Sequence, residues 1–255
     1  MRKNIVVISH ERSGTHFLIN TIAQCFGYDP NAISLDHTKN IDWRDQDAFQ
    51  NWMMQYQNRF VPNVFKSHHA YPFFAPLLDQ LQTDFALFYV QRDGRDVMTS
   101  FWTFLNRLPA SLNGWGPRSS TVGSFMRATS TGRVTQYQFN SDPVTMLERW
   151  VNQVHGWNRN GLPIHRISYE SLHNDHDGIV EMIAQAIGQR PLARARPALN
   201  APSILPWKGK VGTWKEYFTE ADEEYFCQTV NRGPTGRTLP RKITRLARKM
   251  YKSLF

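Results

Sequence analysis

The sequence predicts an α/β fold, a three-layer α/β/α arrangement around a central, mostly parallel sheet. Short apolar runs without polar alternation are typical of strands that are buried on both faces of such a sheet. Four runs of this kind occupy residues 5–9, 63–66, 85–91 and 164–168. Helical patterns separate them, and strands that alternate with helices indicate a parallel sheet covered on both sides.

Start and stop signals delimit the predicted helices, which cover residues 17–26, 93–105, 142–158, 177–187 and 220–230. Gly27 ends the first, because glycine readily adopts the left-handed conformation of a helix terminus. Asp142 and Pro143 predict the start of the third, as a capping acid followed by a proline in the first turn. Thr219 and Asp222 form a capping box at the start of the last.

Residues 106–141 do not follow this alternation. They are rich in Gly, Ser, Thr and Asn, with Trp115 and Phe125 interspersed. A stretch of this length without clear periodicity is either a functional lid or disordered. The lid is the favoured interpretation, because the stretch follows the third strand–helix unit, where a substrate binds in such folds. We expect one domain over residues 1–239, with this lid inside it.

Several protein classes are disfavoured by composition. The chain has 255 residues, enough for one domain with a sizeable core. It contains no run of eighteen apolar residues that would indicate a transmembrane helix, and its first strand begins too early for a signal peptide. Cys25 and Cys227 are too few for a disulfide framework or a zinc site, and we expect both to be reduced in apolar helix faces. These features predict a cytoplasmic protein.

The net charge of +9 is concentrated at the C-terminus. Eight Lys or Arg and no acidic residue lie between Arg232 and Phe255, which leaves +1 for the rest of the chain. Apolar residues at helical spacing predict a basic amphipathic helix over residues 240–255, which could contact an anionic membrane surface. Packing against the body, with the basic face in water, is the favoured alternative. Nucleic acid is not an expected partner, because exposed aromatic residues do not alternate with the basic ones.

The stretch VISHERSGTHFL, residues 7–18, has the outline of a loop that binds phosphate. A turn between a buried strand and a helix directs backbone N–H groups and the positive end of the helix dipole to one place. Gly14 allows a ligand to approach the backbone closely, and Arg12, Ser13 and Thr15 supply further donors. The lysine of the G-x-x-x-x-G-K-[S/T] signature is missing, however.

Two further stretches place polar residues where predicted strands end. Arg92 follows the strand over 85–91, and Ser100 lies on the next helix, so that both can reach one phosphate. The alternative is that the charged residues of this turn, residues 92–96, only form surface ion pairs. Lys66 ends the strand over 63–66 and His68 follows it, and a histidine in that position is a candidate general base.

These stretches, with the basic loop WKGKVGTWKEYFT at residues 207–219, resemble the soluble sulfotransferases that depend on 3′-phosphoadenosine 5′-phosphosulfate (PAPS). The resemblance extends from about residue 4 to residue 219. Residues 12–15 resemble the 5′-phosphosulfate loop of that family, and residues 89–100 are similar to its 3′-phosphate motif. Residues 66–68 resemble its K-T-H element, and residues 208–219 its closing K-G-x-x-G-x-W-K-x-x-F-T signature.

The resemblance implies a P-loop-like phosphosulfate site and transfer of a sulfuryl group from PAPS to a hydroxyl or amine. His68 would be the general base, with Lys66 and Arg12 as further catalytic residues, and adenosine 3′,5′-bisphosphate (PAP) the product. The implied donor-binding residues are Arg12, Ser13, Gly14, Thr15, His16, Phe17, Arg92, Ser100, Tyr169, Trp207, Lys208 and Gly209. No metal is implied, and the acceptor would be a small molecule, a glycan or a lipid.

Some features depart from the family pattern or leave alternatives. Trp207 stands where the closing signature begins with arginine, so that one 3′-phosphate contact would be lost or supplied by Lys210. His69 and His16 are rival general bases. A P-loop kinase or ATPase would have the same sheet, but the missing G-K-[S/T] lysine argues against it. A non-enzymatic protein that binds membrane surfaces is the other alternative, and it depends on the basic C-terminal segment.

Overall fold

The computed structural model describes residues 3–36, 47, 51, 63–138, 143–198 and 210–235. Its strands are β1 Asn4–Ser9, β2 Ile33–Ser34, β3 Val64–Ser67, β4 Phe85–Gln91 and β5 His165–Ser168. They form one sheet in the order β2-β3-β1-β4-β5, and each neighbouring pair is parallel. The predicted α/β class is therefore confirmed. The short edge strand β2 was not predicted, because two residues carry no pattern.

The described helices are α1 Thr15–Phe26, α2 Tyr71–Phe74, α3 Leu78–Asp84, α4 Gly94–Arg107, α5 Val122–Arg127, α6 Met146–Trp157, α7 Tyr169–Asn174, α8 His176–Ile187 and α9 Glu220–Arg232. The predicted capping box at the start of α9 is present. The predicted start of α6 at Asp142 and Pro143 is wrong, since Thr145 caps this helix and forms a capping box with Glu148. Reciprocal hydrogen bonds in a capping box define a helix start better than proline does.

Each face of the sheet buries a separate apolar cluster. Ile5 and Val7 of β1 point towards α1 and α8, and their neighbours in that cluster include Val90 of β4. Val6 and Ile8 point the other way, into a cluster with residues of α2, α3 and α6. Successive side chains of a strand alternate between faces, so a strand that is apolar at every position is covered on both sides. This gives the three layers.

The segment over 106–141 contains short helices that its composition did not predict. Two 3₁₀ helices, Ala110–Trp115 and Gly132–Tyr137, flank α5. Phe125 of α5 is fully buried in a third apolar cluster with residues of α4, α6 and α9. Helices of one or two turns are too short to produce a recognisable period. Residues 139–141 lie outside the described residues, and the role of the segment as a lid stays a prediction.

Two other sequence predictions can be compared with the structure. Cys25 is buried as expected, but Cys227 is exposed, since it lies on the outward face of α9. Within the described residues, no helix has the length and apolar character needed to cross a membrane. The predicted basic helix over 240–255 lies outside the described residues.

The register of the sheet brings the ends of its strands together. Ile8 of β1 is paired with Ser67 of β3, and Ser9 is paired with Val90 of β4. All strands run in the same direction, so the loops that follow them open at one edge. In open α/β sheets this carboxyl edge is where ligands bind.

Candidate functional site

The loop between β1 and α1 has a backbone suited to an anion. Arg12 has φ of 67°, the one described non-glycine residue in the left-handed region, and Gly14 has φ of 99°. Such conformations cost about 1–3 kcal/mol in a non-glycine residue and often occur at ligand sites. The N–H groups in the first turn of α1 have no partner within the helix, and the helix dipole makes this end positive.

Arg12, Arg92 and Ser100 are linked at the carboxyl edge of the sheet. Arg12 Nε donates to Ser100 Oγ at 3.1 Å, and Arg92 Nη1 donates to the carbonyl oxygen of Arg12 at 3.2 Å. Burial and the neighbouring charge of Arg92 lower the pKa of Arg12 to about 10, so that its guanidinium is still charged at neutral pH. Two adjacent guanidinium groups would favour a bound dianion.

Tyr169 packs against this loop from the start of α7. A Cβ atom at Gly14 would lie 2.4 Å from Tyr169 Cδ2, so only glycine fits there. The guanidinium carbon of Arg92 lies 4.3 Å from the centre of the Tyr169 ring, within cation–π distance. The rings of Phe17 and His173 contact Tyr169 with centroids 6.2 and 4.7 Å away. This aromatic group lies beside the loop.

Two buried polar atoms of the loop region fit an anionic ligand. Ser13 is 1% exposed, and its hydroxyl has no hydrogen-bond partner among the described atoms. Arg92 Nε is likewise buried without a partner in the described part of the chain. A buried donor without a partner costs about 1–3 kcal/mol, and a bound anion would supply acceptors to both atoms.

His68 lies at the end of β3, with its ring next to β1. Its Nδ1 donates to the carbonyl oxygen of Ser9 at 3.0 Å. This bond fixes the tautomer, because a carbonyl can only accept, and it leaves Nε2 of the neutral ring with its lone pair. Burial and the nearby charge of Lys66 lower the pKa of His68 to about 3. His68 is therefore neutral at physiological pH and able to accept a proton at Nε2.

The rival bases have different surroundings. His69 is 3% exposed and stacks on Phe73 with ring centroids 4.4 Å apart, so it belongs to the apolar interior. Burial, with the charges of Lys66 and Arg12, lowers the pKa of His16 to about 4. His16 is thus close to the cationic residues of the site, whereas His68 Nε2 lies 3.8 Å from the Asp36 carboxylate.

Asp36, which follows β2, was not identified from the sequence. Its side chain is fully buried, and its Oδ2 lies 3.8 Å from both Lys66 Nζ and His68 Nε2. Asp36 Oδ1 accepts from the backbone N–H of His68 at 2.9 Å. Burial raises the pKa of Asp36 to about 7, although Lys66 acts in the opposite direction. The edge strand that positions this carboxylate is too short to be seen in the sequence.

A second carboxylate, Glu11, lies inside the loop and is neutralised there. Arg149 of α6 donates from Nη2 to both carboxylate oxygens of Glu11, at 2.6 and 2.5 Å. Arg149 also donates to His10 Nε2 at 2.8 Å. The pair is buried, and the arginine compensates the negative charge that would repel an anion in the loop. No local pattern in the sequence indicates this pair, because it depends on how α6 packs against the loop.

The four charged residues between 92 and 96 do not behave as one surface cluster. Arg95 does form partly exposed ion pairs with Asp93 and Glu223, at 2.6 and 2.8 Å. Asp96, by contrast, is fully buried, and its Oδ2 lies 3.6 Å from Arg92 Nη2. Asp96 also binds the segment before α9 through hydrogen bonds. Its carboxylate accepts from the N–H of Gly212 at 2.7 Å, and from Thr213 and Trp214. The alternative of surface ion pairs therefore applies to Arg95, whereas Arg92 is next to a buried carboxylate.

Trp207, Lys208 and Gly209 lie outside the described residues, so their predicted contacts with the donor remain predictions. The adjacent Lys210 is described, and its carbonyl oxygen accepts from Arg92 Nη2 at 3.0 Å. Among the described residues, no group of three or more His, Cys, Asp and Glu side chains could hold a metal ion.

A small cleft opens beside His68. Its empty volume is about 280 Å³, and it is lined by Ala70, Tyr137, Gln138, Val144, Arg149, Asn152 and Gln153. Gln153 Nε2 donates to the carbonyl oxygen of His68 at 3.1 Å, and the Tyr137 ring lies 5.8 Å from the imidazole. Both contacts place the cleft next to His68.

Comparisons with known proteins agree with this geometry. Among solved structures, mouse sulfotransferase SULT7A1 complexed with PAP is 17% identical, with a TM-score of 0.61 over 97% of this chain and 88% of that chain. Retinol dehydratase in complex with androsterone and PAP is 14% identical, with a TM-score of 0.57 over 90% of this chain and 80% of that chain. At these identities the likeness shows a shared fold.

Comparison with curated protein sequences finds no significant match. The family model described as "Sulfotransferase domain" matches residues 2–196, which include the loop after β1, the His68 region, the Arg92 region and Tyr169. The chain therefore belongs to the sulfotransferase domain family.

Proposed function

We propose that this protein transfers a sulfuryl group from PAPS to a hydroxyl or amine acceptor. The observation that carries the proposal is the meeting of Arg12, Arg92 and Ser100 within hydrogen-bond distance at the carboxyl edge, beside His68 with Nε2 unprotonated. The solved structures of similar fold contain PAP, the product that PAPS would leave. Family membership and this arrangement support the same reaction.

The donor is expected to lie along the loop after β1. The first turn of α1, the Ser13 hydroxyl and Arg12 would bind the 5′-phosphosulfate, and Arg92 with Ser100 would bind the 3′-phosphate. Both sets of groups offer donors to negative oxygens, which arginine contacts in a bidentate manner. Tyr169 and Phe17 would contact the adenine, and Trp207, Lys208 and Gly209 would complete the site.

The transfer itself needs positioning and charge compensation more than covalent help from the protein. The acceptor oxygen forms a bond to sulfur while the bond from sulfur to the bridging oxygen breaks, and that oxygen leaves with the electron pair as part of PAP. His68 Nε2 takes the proton of the acceptor. Lys66 and Arg12 would compensate the charge that grows on the bridging oxygen and the sulfuryl group, as in phosphoryl transfer.

The acceptor would enter from the cleft beside His68. Androsterone and retinol are bound by retinol dehydratase, and both carry one hydroxyl on an apolar skeleton. We propose a hydroxylated small molecule as the first class to screen, followed by glycans and lipids. Segment 106–141, which supplies Tyr137 and Gln138, is proposed to act as the lid over this acceptor.

Calorimetric titration with PAP, and separately with ADP plus Mg²⁺, tests the donor site. A sulfotransferase site should bind PAP tightly without metal and ADP weakly, because only PAP carries the 3′-phosphate that Arg92 and Ser100 would hold. Preference for the Mg²⁺–ADP complex would contradict the proposal and favour the kinase alternative. Release of ³⁵S-labelled product from PAPS, lost in His68→Ala by about 10²–10⁴-fold, then tests the general base.

The C-terminal residues 240–255 carry a separate proposal about location. We propose a cytoplasmic enzyme in which this basic segment can contact an anionic membrane, because cationic amphipathic sequences bind such surfaces. Co-sedimentation with phosphatidylserine vesicles should decrease when residues 240–255 are removed. Equal sedimentation of both forms would exclude membrane contact through this segment.

A further inference from the structure

Asp36 is the buried carboxylate that faces both candidate catalytic side chains of β3. Its Oδ2 lies 3.8 Å from Lys66 Nζ and 3.8 Å from His68 Nε2, and its side chain has no exposure to solvent. The same atom has no hydrogen-bond partner in the described part of the chain. Taking an ionised carboxylate out of water is costly unless cations compensate it. The placement therefore points to a role that uses the charge.

The electrostatics of His68 provide that role. With its pKa lowered to about 3, the imidazole is neutral but is a weak base at neutral pH. General bases are most effective when their pKa is close to the working pH. A carboxylate next to Nε2 favours the protonated ring and makes Nε2 more basic. Asp36 is the carboxylate that lies against this nitrogen.

We propose that Asp36 is a positioning residue of the transfer reaction: its carboxylate keeps Lys66 beside His68 and compensates the charge that His68 acquires with the acceptor's proton. The inference rests on the proposed function. In that step the proton moves from the acceptor to His68 Nε2, the acceptor oxygen bonds to sulfur, and PAP leaves. Asp36 touches neither donor nor acceptor in this account and acts through its two neighbours.

The groups that face Asp36 come from several elements. They are Lys66, His68 and His69 from β3 and the residues after it, Tyr137 from its 3₁₀ helix, and Glu11 from the loop after β1. Lys66 favours the ionised carboxylate, and Glu11, already paired with Arg149, opposes it. The Asp36 carboxyl therefore changes charge near neutral pH, and the reaction is expected to accelerate when it ionises.

Asp36→Asn separates this role from a purely structural one. The amide oxygen of asparagine can still accept the backbone N–H of His68, which Asp36 Oδ1 accepts at 2.9 Å, so the shape and this bond are kept. The negative charge is removed, and an NH2 group takes the place of Oδ2. Asp79→Asn is the matched control, because Asp79 is an exposed carboxylate on α3 and belongs to no part of the site.

The experiment follows the release of sulfate from ³⁵S-labelled PAPS with water as acceptor, from pH 5.5 to 9, together with PAP affinity by calorimetry. In the wild type the rate should rise through about pH 7, where Asp36 ionises. In Asp36→Asn the plateau rate should fall about 10–100-fold and the rise near pH 7 should disappear, with PAP affinity unchanged. An unchanged profile, an equal loss at every pH, or a parallel loss of PAP affinity would overturn the inference.

A second measurement tests the coupling between Asp36 and Lys66 without any sulfuryl transfer. A wild type that transfers no sulfuryl group would count against the proposed function and not against this coupling. Carbon-13 NMR of labelled aspartate, assigned by the signal missing in Asp36→Asn, reports the titration of this carboxyl. It should titrate near pH 7 in the wild type and at higher pH in Lys66→Met, because Lys66 lowers its pKa. A carboxyl that titrates near pH 4 in both proteins would overturn the coupling.

Discussion

Arg12 and Ser100, which are 88 positions apart in the chain, are joined by a hydrogen bond of 3.1 Å from Nε to Oγ. This bond connects the loop after β1 to helix α4 at the carboxyl edge of the sheet. It also fixes the direction of the guanidinium, whose carbon lies 5.2 Å from the centre of the Phe104 ring. The bond therefore holds together the two halves of the proposed donor site.

Ser100→Ala should weaken PAP binding by about 10-fold or more, because a hydrogen bond to a charged partner contributes about 1.5–3 kcal/mol. The variant loses a proposed ligand of the 3′-phosphate and also the contact that orients Arg12. Calorimetry with PAP measures the effect. Thr103→Ala is the control, since the Thr103 hydroxyl bonds to the carbonyl of Thr99 within the same helix. Equal affinity of both variants for PAP would contradict the assignment of Ser100 to the donor site.

Arg92→Ala should reduce the affinity for PAP more than the affinity for ADP, because we assign Arg92 to the 3′-phosphate. Loss of a charge-assisted contact predicts about a 10–100-fold effect on PAP. The ratio of the two dissociation constants is the quantity to measure. In Arg194→Ala, which removes a half-exposed ion pair with Glu181, the ratio should stay at the wild-type value. A parallel loss for both nucleotides would indicate that Arg92 only supports the fold.

The parts of the fold and site that the sequence predicted are those with regular or local signals. Buried strands appear as continuous apolar runs, and Arg12, Arg92 and His68 each follow such a strand. Strand ends in a parallel sheet share one edge, which made the location of these residues at that edge predictable. Asp36 carried no such signal, because it follows a strand of two residues at the sheet edge.

Buried charge was harder to predict than the position of strands. Nothing local in the sequence indicates that Arg149 of α6 reaches Glu11, 138 positions away, since the contact depends on how α6 packs on the sheet. Asp96 likewise looked like a member of a surface charge cluster, although its partners include the backbone N–H groups before α9. Such pairings are set by tertiary packing and are not determined by spacing along the chain.

Protonation of His16 should contribute to a loss of stability when the pH is lowered from 6.5 to 4. The unfolded histidine binds a proton below about pH 6.5, whereas the folded one does so only near pH 4, so the unfolded state binds more protons in this window. The free energy of unfolding therefore decreases as the pH is lowered from 6.5 to 4, by on the order of 3 kcal/mol for this residue. Asp36, with its pKa raised to about 7, acts in the opposite sense, because its folded form holds the proton longer.

Urea unfolding of the wild type and His16→Gln at pH 7 and pH 4.5 isolates the His16 contribution from that of Asp36. The variant should lose less stability than the wild type over this interval. His155→Gln, at an exposed position of α6, should behave as the wild type does. The same pH slope in all three proteins would contradict the assignment.

Gly14→Ala should disrupt both stability and donor binding, because two separate costs meet at this position. The backbone has φ of 99°, and the new Cβ would lie 2.4 Å from Cδ2 of Tyr169, a ring that is 1% exposed and cannot move aside freely. Gly161 provides the matched control: its φ is 76°, but a Cβ added there would meet no described atom within 4 Å. Gly161→Ala should cost about 1–2 kcal/mol from backbone strain alone.

Gly14→Ala should lower the free energy of unfolding by a further amount of about 1–3 kcal/mol, because the added Cβ overpacks the site. It should also weaken PAP binding, because relief of the contact displaces Tyr169 from the loop and from Arg92. Urea unfolding of the two variants gives the difference in stability, and calorimetry gives the difference in affinity. Equal destabilisation of both variants, with wild-type PAP affinity in each, would mean that the contact between Gly14 and Tyr169 does not shape the donor site. A selective effect at Gly14 would show that the narrow approach of ring to backbone is what the glycine provides.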